Sequence, residues 1–447
     1  MPVVERRLPC AEARTRCGRR AVIYAVRVPI IDNPPLRFPK DQIKVLLLEN
    51  IHADAEAAIR AEGYQLETVA ASLAPDELKE KIADVHLLGI RSGTLVTADV
   101  LDAAPKLLAV GAFCIGTNQI DLTAAAGHGV AAFNAPFSNT RSVVEMAIGE
   151  IISLYRGLGD KNMQMHQGDW NKSATGSHEI RGRRLGIVGY GNIGSQLSVL
   201  AESLGMQVYY HDLEERLPLG NAHKCASLEE LLSSVDIVSL HVDGRPENQG
   251  LFGAEQFEQM RDQALFLNLS RGFVIDPDAL AAAIGNGKLL GAAVDVFPTE
   301  PKSKGQSFES PLRGLPNVIL TPHVGGSTME AQADIGGFVA DKLISFVNSG
   351  STSLSVNLPQ LSLPEQAHTH RFIHIHVNEP GVLAKLNNVL SAHDVNISGQ
   401  YLGTNETVGY VVIDINAADA APAADVTRQI EEQLRALPET IRVRTLY

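Results

Sequence analysis

Three polar residues follow apolar runs in the middle of the chain, and their types suit one reaction. Arg271 follows Phe266-Leu-Asn-Leu-Ser270, Glu300 stands in Asp295-Val-Phe-Pro-Thr-Glu-Pro301, and His323 ends Val318-Ile-Leu-Thr-Pro-His. Arginine presents a planar fork that fixes a carboxylate or keto oxygen in a bidentate manner. Histidine titrates near operating pH, so it can take a hydroxyl proton as hydride leaves the same carbon. A glutamate on the other ring nitrogen sets the tautomer and favours imidazolium once the proton arrives. Taken singly, each residue reads as a surface or structural group at a strand end. In the order Arg, Glu, His within one α/β region, they point to oxidation of a 2-hydroxy acid.

Such chemistry needs a hydride acceptor, and the chain offers a place for one. Gly189-Tyr190-Gly191-Asn192-Ile193-Gly194 follows the apolar run Leu185–Val188 and opens a helical stretch with Leu197, Leu200, Ala201 and Leu204. A lone GxGxxG is weak evidence, but the flanking strand and helix are what the mechanism requires. Gly189 permits the tight turn, Gly191 lets a pyrophosphate approach the backbone, and Gly194 packs helix against strand. The pyrophosphate then sits at the helix N-terminus, where free N–H groups favour an anion. Asp212 ends the next strand, eighteen residues beyond Gly194. An acid there accepts from ribose hydroxyls and repels a 2′-phosphate, which selects NAD over NADP.

These residues must be carried at the carboxyl ends of parallel strands, and the apolar pattern supplies such strands. Ile43–Leu48, Val85–Ile90, Leu107–Val110 and Val130–Asn134 form one series, separated by alanine-rich helical segments such as Ala53–Glu62. A long helix is expected from Ser142 to Leu158. A second series runs through Arg184–Val188, Val208–His211, Ile237–His241, Leu265–Leu269, Gly291–Val296 and Val318–Thr321, followed by a helix over Thr328–Val347. Residues 350–370, serine-rich with two prolines, read as a linker. Residues 371–447 then read as βαββαβ, the ferredoxin-like order: strand 371–377, helix 381–393, strands 396–404 and 407–416, helix 425–437 and strand 441–446. Its one loose loop is Ala417–Asp425. The fold class is therefore α/β, with a Rossmann-type domain and a small C-terminal module.

At this point the segments GYGNIG, LNLSRG, GAAVDVFPTEP and NVILTPHVGGST resemble the D-isomer-specific 2-hydroxyacid dehydrogenase family. More narrowly, GAFCIGTNQIDL, FNAPFSNTRS and IHIHVNEPGVL are similar to the NAD-linked D-3-phosphoglycerate dehydrogenases that carry a C-terminal ACT domain. The resemblance runs from about residue 40 to Tyr447. It implies a flavodoxin-like, discontinuous substrate domain (40–138 with 326–349) into which the nucleotide domain (139–325) is inserted, with closure burying the substrate. It implies Arg271 as substrate-binding, Glu300 as the histidine partner and His323 as proton donor and acceptor. Cofactor contacts are implied at Asn192, Ile193, Asp212, Leu269, Ser270, Arg271, Asp295, and the backbone of His323, Val324, Gly325 and Gly326.

At the substrate end, the resemblance implies that Arg91 and Ser92 hold the substrate acid or its phosphate. Lys172 is a second candidate cation, and Asn139 is expected at the interdomain crossing. Two departures from the family pattern stand out. Gly93 occupies a place where relatives offer a basic side chain, and His241-Val-Asp-Gly-Arg-Pro lacks the usual His-x-Pro. In the C-terminal module the family binds L-serine between two ACT domains, on positions that map to His376, Asn378 and Asn396. Amide groups suit the ammonium and carboxylate of an amino acid. Glu379 replaces a position often basic or polar. Cys114 reads as packing, since hydride transfer needs no thiol nucleophile.

Composition narrows the alternatives. The chain has 447 residues, 45% hydrophobic and 20% charged, enough for two to four domains. Its net charge of −13 divides unevenly: residues 1–30 hold seven Arg against Glu5 and Glu12, leaving −18 for the remainder. Nucleic acid and anionic membrane are thus poor partners for the body of the chain, and any phosphate must be met by local cations. Residues 1–39 are expected to be a disordered extension. No apolar run reaches a membrane span, and four scattered cysteines fit a reducing compartment, so a cytoplasmic enzyme is expected, with no metal. The expected activity is oxidation of 3-phospho-D-glycerate under L-serine feedback, in a homotetramer, with 2-oxoglutarate reduction as a possible side activity. A dehydrogenase for another D-2-hydroxy acid and a non-catalytic NAD-sensing protein stay open here.

Overall fold

The computed structural model describes residues 39–301, 305–364, 369–416 and 424–446. The extension expected at residues 1–39 lies outside them except for Pro39, and so does most of the loop expected at Ala417–Asp425.

The first unit alternates β1 (Lys44–Leu48), α1 (Ala53–Ala61), β2 (Gln65–Val69), α2 (Pro75–Ile82), β3 (Leu87–Ile90), α3 (Ala98–Asp102), β4 (Ala109–Ala112), α4 (Leu122–Gly127) and β5 (Ala131–Asn134). The strands are parallel in the order β2-β1-β3-β4-β5, the flavodoxin-like arrangement. Strands β3 to β5 are buried throughout and read as unbroken apolar runs. Strand β2 gives no such run. It lies at the sheet edge with Gln65, Glu67 and Thr68 exposed, so no apolar signal marks it.

Helix α5 (Thr140–Arg156) ends at Gly157, whose φ of +56° is the left-handed conformation glycine tolerates, and α6 (Leu158–Gln167) starts at once. The second sheet collects β6 (Arg184–Val188), β7 (Gln207–His211), β8 (His223–Lys224), β9 (Ile237–Leu240), β10 (Ala264–Asn268), β11 (Leu289–Val294) and β12 (Val318–Leu320). Helices α7 (Asn192–Ser203), α8 (Leu228–Ser234), α9 (Ala254–Gln259) and α10 (Pro277–Gly285) connect them. The order β12-β11-β10-β9-β6-β7-β8, all parallel, is the doubly wound Rossmann arrangement.

Helix α11 (Met329–Ser349) then returns to the first sheet. Its Ile335, Val339, Ala340, Leu343 and Phe346 share a core with Val45, Leu47, Ile59 and Phe133. The C-terminal module follows as β13 (Thr369–Val377), α12 (Val382–Ala392), β14 (Ile397–Thr404), β15 (Val408–Asn416), α13 (Ala424–Arg435) and β16 (Thr440–Leu446). Its antiparallel sheet has the order β14-β15-β13-β16. One face, with Ile373, Ile375, Val408, Tyr410 and Val412, joins the core of the first unit. The other, with Phe372, Val411, Ile413, Ile415 and Val443, packs under α12 and α13. Burial on both faces explains why β15 is nearly all apolar.

The exception inside β15 is Asp414, which is 0% exposed. Arg371 Nε and Nη2 donate to its carboxylate at 2.7 and 2.9 Å, while Nη1 donates to the carbonyls of Ser349 at 2.7 Å and Pro364 at 3.1 Å. The guanidinium thus ties the module to the end of α11. The stretch expected as a linker has no regular structure but is not slack where it is described. Asn357 accepts from Ala132 N–H at 2.8 Å and donates to Val130 O at 2.8 Å, and Thr352 Oγ1 donates to Pro359 O at 2.7 Å. Serine and threonine hydroxyls replace the ladder hydrogen bonds that this irregular backbone lacks.

Arg371→Ala removes the bidentate guanidinium from the buried Asp414 carboxylate and from the carbonyls of Ser349 and Pro364, at a cost of about 3–5 kcal/mol. Calorimetry is expected to show the transition that includes the C-terminal module moving to lower temperature; an unchanged thermogram contradicts this role for the pair.

Candidate active site

The nucleotide cradle is built where β6 turns into α7. Gly189 has φ +91°, and a Cβ there would lie 2.6 Å from the His241 carbonyl oxygen. A Cβ on Gly194 would run into the Gly189 carbonyl, whereas around Gly191 nothing lies within 4 Å. Two glycines are therefore needed for packing, and the third leaves open space beside bare backbone. No side chain caps α7, so the N–H groups of Asn192 and Ile193 in its first turn remain for an anion. Asp212 braces this loop from the end of β7: it accepts from Tyr190 N–H at 2.7 Å and Glu214 N–H at 2.8 Å.

The turn after β10 is equally fixed. Asn268 Oδ1 accepts from Ser270 N–H at 3.0 Å and from its hydroxyl at 2.8 Å, and Asn268 Nδ2 donates to Arg271 O at 3.0 Å. A Cβ on Gly272 would collide with the Phe297 backbone, so the Arg271 turn lies hard against the segment that leads to Glu300. Ser270 is buried and its hydroxyl already engaged, so it serves this turn within the chain.

Asp295, at the end of β11, is 2% exposed. Its Oδ1 accepts from Thr321 Oγ1 at 2.6 Å and Val324 N–H at 2.8 Å, its Oδ2 from Gly325 N–H at 2.8 Å, and its carbonyl from His323 N–H at 2.8 Å. The N–H groups of Val324 and Gly325, expected to face the cofactor, are thus spent on Asp295. Between these anchors His323 is held at φ +54°, a conformation rare for a residue with a Cβ. Its Nδ1 lies 2.9 Å from Glu300 Oε2, and Glu300 Oε1 accepts from Phe297 N–H at 3.1 Å. The hydrogen bond to Glu300 raises the His323 pKa against the opposing effect of burial. Burial pushes Glu300 up, but the hydrogen bonds from His323 and Phe297 outweigh it and hold its pKa below the usual value. With Nδ1 engaged, Nε2 is the nitrogen left for a substrate hydroxyl.

Two chain crossings join the halves. A Cβ on Gly326 would strike the Asn139 side chain, and Ser142 Oγ lies 2.8 Å from Thr328 Oγ1. Asn139 therefore sits at the crossing. On the first sheet, Glu49 accepts from the N–H groups of Arg91, Gly93 and Thr94 at 3.1, 2.8 and 2.9 Å, and Gln119 Nε2 donates to Arg91 O at 2.9 Å. The Arg91 backbone is pinned while its guanidinium makes no hydrogen bond or ion pair among the described residues. Ser92 and Lys172 are exposed, and Lys172 has no such partner either.

Sequence reasoning missed two carboxylates. Glu49 ends a buried strand, the same position that singled out Arg91. Glu150 sits on α5 at the spacing of Val143, Ala147 and Leu154, so helical periodicity put it on the apolar face. Both its oxygens are buried without a partner, and burial, with Asp295 as a second cause, pushes its pKa up to about 8.

Residues 148–325 match the family described as "D-isomer specific 2-hydroxyacid dehydrogenase, NAD binding domain", and residues 372–442 match an "AHAS small subunit-like ACT domain". The chain is 53% identical over 409 residues to the D-3-phosphoglycerate dehydrogenase of Haemophilus influenzae, covering 91% of this chain and 98% of that protein. The chain belongs to the D-isomer-specific 2-hydroxyacid dehydrogenase family. Within this family it groups with the D-3-phosphoglycerate dehydrogenases: the Dictyostelium discoideum protein of that name is 48% identical over 415 residues, 93% of this chain and all of that one. The solved D-2-hydroxyisocaproate dehydrogenase superposes with a TM-score of 0.65 at 26% identity, covering 70% of this chain and 100% of that one. The chain is thus an NAD-dependent 2-hydroxyacid dehydrogenase, and the open Gly191 cradle with Asp212 beyond it fits NAD.

In the ACT domain, His376 is buried, and Asn378 Nδ2 donates to Asn405 O at 2.7 Å. Asn396 lines a pocket of about 300 Å³ with Asn387, Leu390, Ser391 and Asp394. Strands β13 and β14 both pair with β15, with His376 and Thr404 opposite Gly409, and His370 and Ile397 opposite Ile415. Asn396 is therefore at the other end of the sheet from His376, roughly 20 Å away at ~3.3 Å per residue. One module does not bring the expected effector residues together.

Two outcomes test this geometry. Glu300→Gln removes the interaction that raises the His323 pKa. Alcohol oxidation needs neutral imidazole, so the acid limb of the kcat/KM profile is expected to move to lower pH, with a lower plateau; a limb that stays in place contradicts the pairing. For Glu150, between the ordinary carboxyl range and about 8 the folded chain holds a proton that the unfolded chain has lost, so stability falls as pH rises through that interval. Glu150→Gln cannot ionise and is expected to raise Tm over wild type by more at pH 8 than at pH 5. A difference independent of pH counts against the buried acid.

Proposed function

We propose that this chain oxidises 3-phospho-D-glycerate to 3-phosphohydroxypyruvate with NAD, the step that commits carbon to L-serine, and is feedback-inhibited by L-serine. The observation that carries the reading is the Glu300–His323 pair, set beside the Arg271 turn and the Gly189–Gly194 cradle, in a chain about half identical to relatives named for this activity. When bound, the nicotinamide supplies the hydride acceptor. The chain's own residues do the rest. Arg271 holds the substrate carboxylate, His323 Nε2 takes the hydroxyl proton, and Glu300 stabilises the imidazolium that results. Asn192, Ile193 and Asp212 hold the dinucleotide, and closure of residues 139–325 against residues 40–138 and 326–349 excludes water.

Arg91, with Ser92, Asn139 and Lys172, meets the phosphate end. In a body carrying −18, an uncommitted guanidinium is the local attraction such a substrate requires. Gly93 gives no second cation beside it, and a Cβ there would already lie 3.0 Å from Glu49 Oε2. That shortage of positive charge supports a second, smaller activity on 2-oxoglutarate, whose distal carboxylate needs less of it than a phosphate.

The separation of Asn396 from His376 and Asn378 supports an effector site shared by two ACT modules. Trp170, Met163 and Met165, on and just after α6, are 79%, 54% and 51% exposed and supply apolar surface for a second contact between copies. Both together support a homotetramer. Cys114 and Cys225 are free, in keeping with a cytoplasmic enzyme.

The test is an initial-rate panel of NAD with 3-phospho-D-glycerate, D-2-hydroxyglutarate and D-lactate, with and without L-serine. The highest kcat/KM is expected for the phosphorylated acid, with inhibition by serine. His323→Ala is expected to lower kcat by about 10²–10⁴-fold at unchanged NAD affinity. Preference for D-lactate, or no turnover with any acid, overturns the proposal.

A further inference from the structure

Strand β13 carries two buried histidines on one face, His374 at 0% and His376 at 3% exposed, and their hydrogen bonds run in one direction only. The chain of contacts starts at the last turn of α13. Thr440 Oγ1 lies 2.6 Å from the Leu434 carbonyl oxygen, which can only accept, so the single hydroxyl proton of Thr440 is spent there. The same Oγ1 lies 2.8 Å from His374 Nε2 and must therefore accept, which makes Nε2 the protonated nitrogen of His374. Burial drives the His374 pKa down to about 3, so the ring is neutral and its Nδ1 carries a lone pair. His376 Nδ1 is 3.4 Å from His374 Nδ1. Two lone pairs cannot face each other across this gap, so Nδ1 of His376 carries its proton. The His374 carbonyl lies within reach of the same ring as a second acceptor.

We infer that His374 and Thr440 are positioning residues that hold His376 in its Nδ1–H form, so that the effector site presents a bare Nε2 to an ammonium or hydroxyl donor. The inference rests on the reading of His376 as an effector contact. Two further features support it. The His376 ring lies over Gly409, where a Cβ would strike Nε2, so only glycine at this position leaves room for the ring as it stands. Glu439 is close enough to act on His376 electrostatically, and its Oε2 is buried with no partner. Lys385 Nζ already donates to the other carboxylate oxygen, Oε1, so His376 Nε2 and Glu439 Oε2 are the two acceptor atoms left, and they select a ligand group rich in N–H or O–H, as the ammonium and hydroxyl of a small hydroxy-amino acid are.

The experiment measures the L-serine concentration for half-inhibition of the full-length enzyme. Thr440→Val keeps the shape but removes the acceptor, and is expected to raise that concentration about tenfold, the effect of one lost hydrogen bond. Uninhibited kcat and KM are expected to hold, and Thr440→Ser to restore sensitivity; His374→Phe is expected to match Thr440→Val. Wild-type sensitivity in both Thr440→Val and His374→Phe overturns the inference. Should either variant misfold, 15N solid-state spectra of the histidine-labelled wild-type enzyme decide, with His376 assigned by its loss in His376→Asn. A pyrrole-type Nδ1 and pyridine-type Nε2 support the relay, and the reverse pattern overturns it. If the wild-type enzyme neither binds nor responds to L-serine, the effector reading fails, while the 15N pattern still decides the tautomer.

Discussion

Much of this enzyme depends on a single carboxylate that does no chemistry itself. Asp295 takes the Thr321 hydroxyl and the N–H groups of Val324 and Gly325 on its two oxygens, and its carbonyl takes His323 N–H. These bonds hold His323, the proposed proton acceptor, at φ +54°, a conformation that costs of order 1–3 kcal/mol and persists only where the surroundings over-determine it. The same loop leads directly into the Gly326 crossing beside Asn139. The His323 ring, the turn that feeds it and the crossing to the other unit are therefore strung from one anchor. A tight anchor suits proton transfer, because a donor displaced by an ångström loses much of its advantage.

The two parallel sheets serve this anchor in different ways. In the second sheet the glycine cradle, the Arg271 turn and Asp295 all stand at carboxyl ends of strands, where an open α/β fold gathers its ligands. The first sheet presents Arg91 from the end of β3, on a loop laced to Glu49. Helix α11 carries the chain back to the first sheet, and the ACT sheet then lays one face on the same core. Arg371, Tyr410 and Arg444 reach the carbonyls that end α11, at Ser349, Gly350, Phe346 and Val347. The ACT module and the first unit thus share apolar packing as well as a chain connection.

How legible this was in the sequence varied with the physics behind each feature. The cradle and the Arg, Glu, His set announced themselves because buried strands leave unbroken apolar runs, and the polar residues that close them stand out. Strand β2 did not, since an edge strand can be mostly polar, and α6, Leu-Gly-Asp-Lys-Asn-Met-Gln-Met-His-Gln, buries no residue and shows no apolar face. Residues 350–364 read as a linker from composition, yet their hydroxyls and amides are what allow an irregular segment to pack. Glu150 was overlooked because glutamate in a helix is assumed to face water; only its register with Val143 and Ala147 argued otherwise. The tautomer of His376 depends on Thr440 and the Leu434 carbonyl, more than fifty residues away, which no local pattern reveals.

The most direct test of the account is the steady-state rate of NAD-linked acid oxidation by Asp295→Asn. The substitution keeps the shape but turns two acceptor oxygens into one, so the loop at residues 321–325 loses part of its anchor. A fall in kcat of about a hundredfold is expected, with the chain still folded and His323 intact. Wild-type kcat in Asp295→Asn would contradict it.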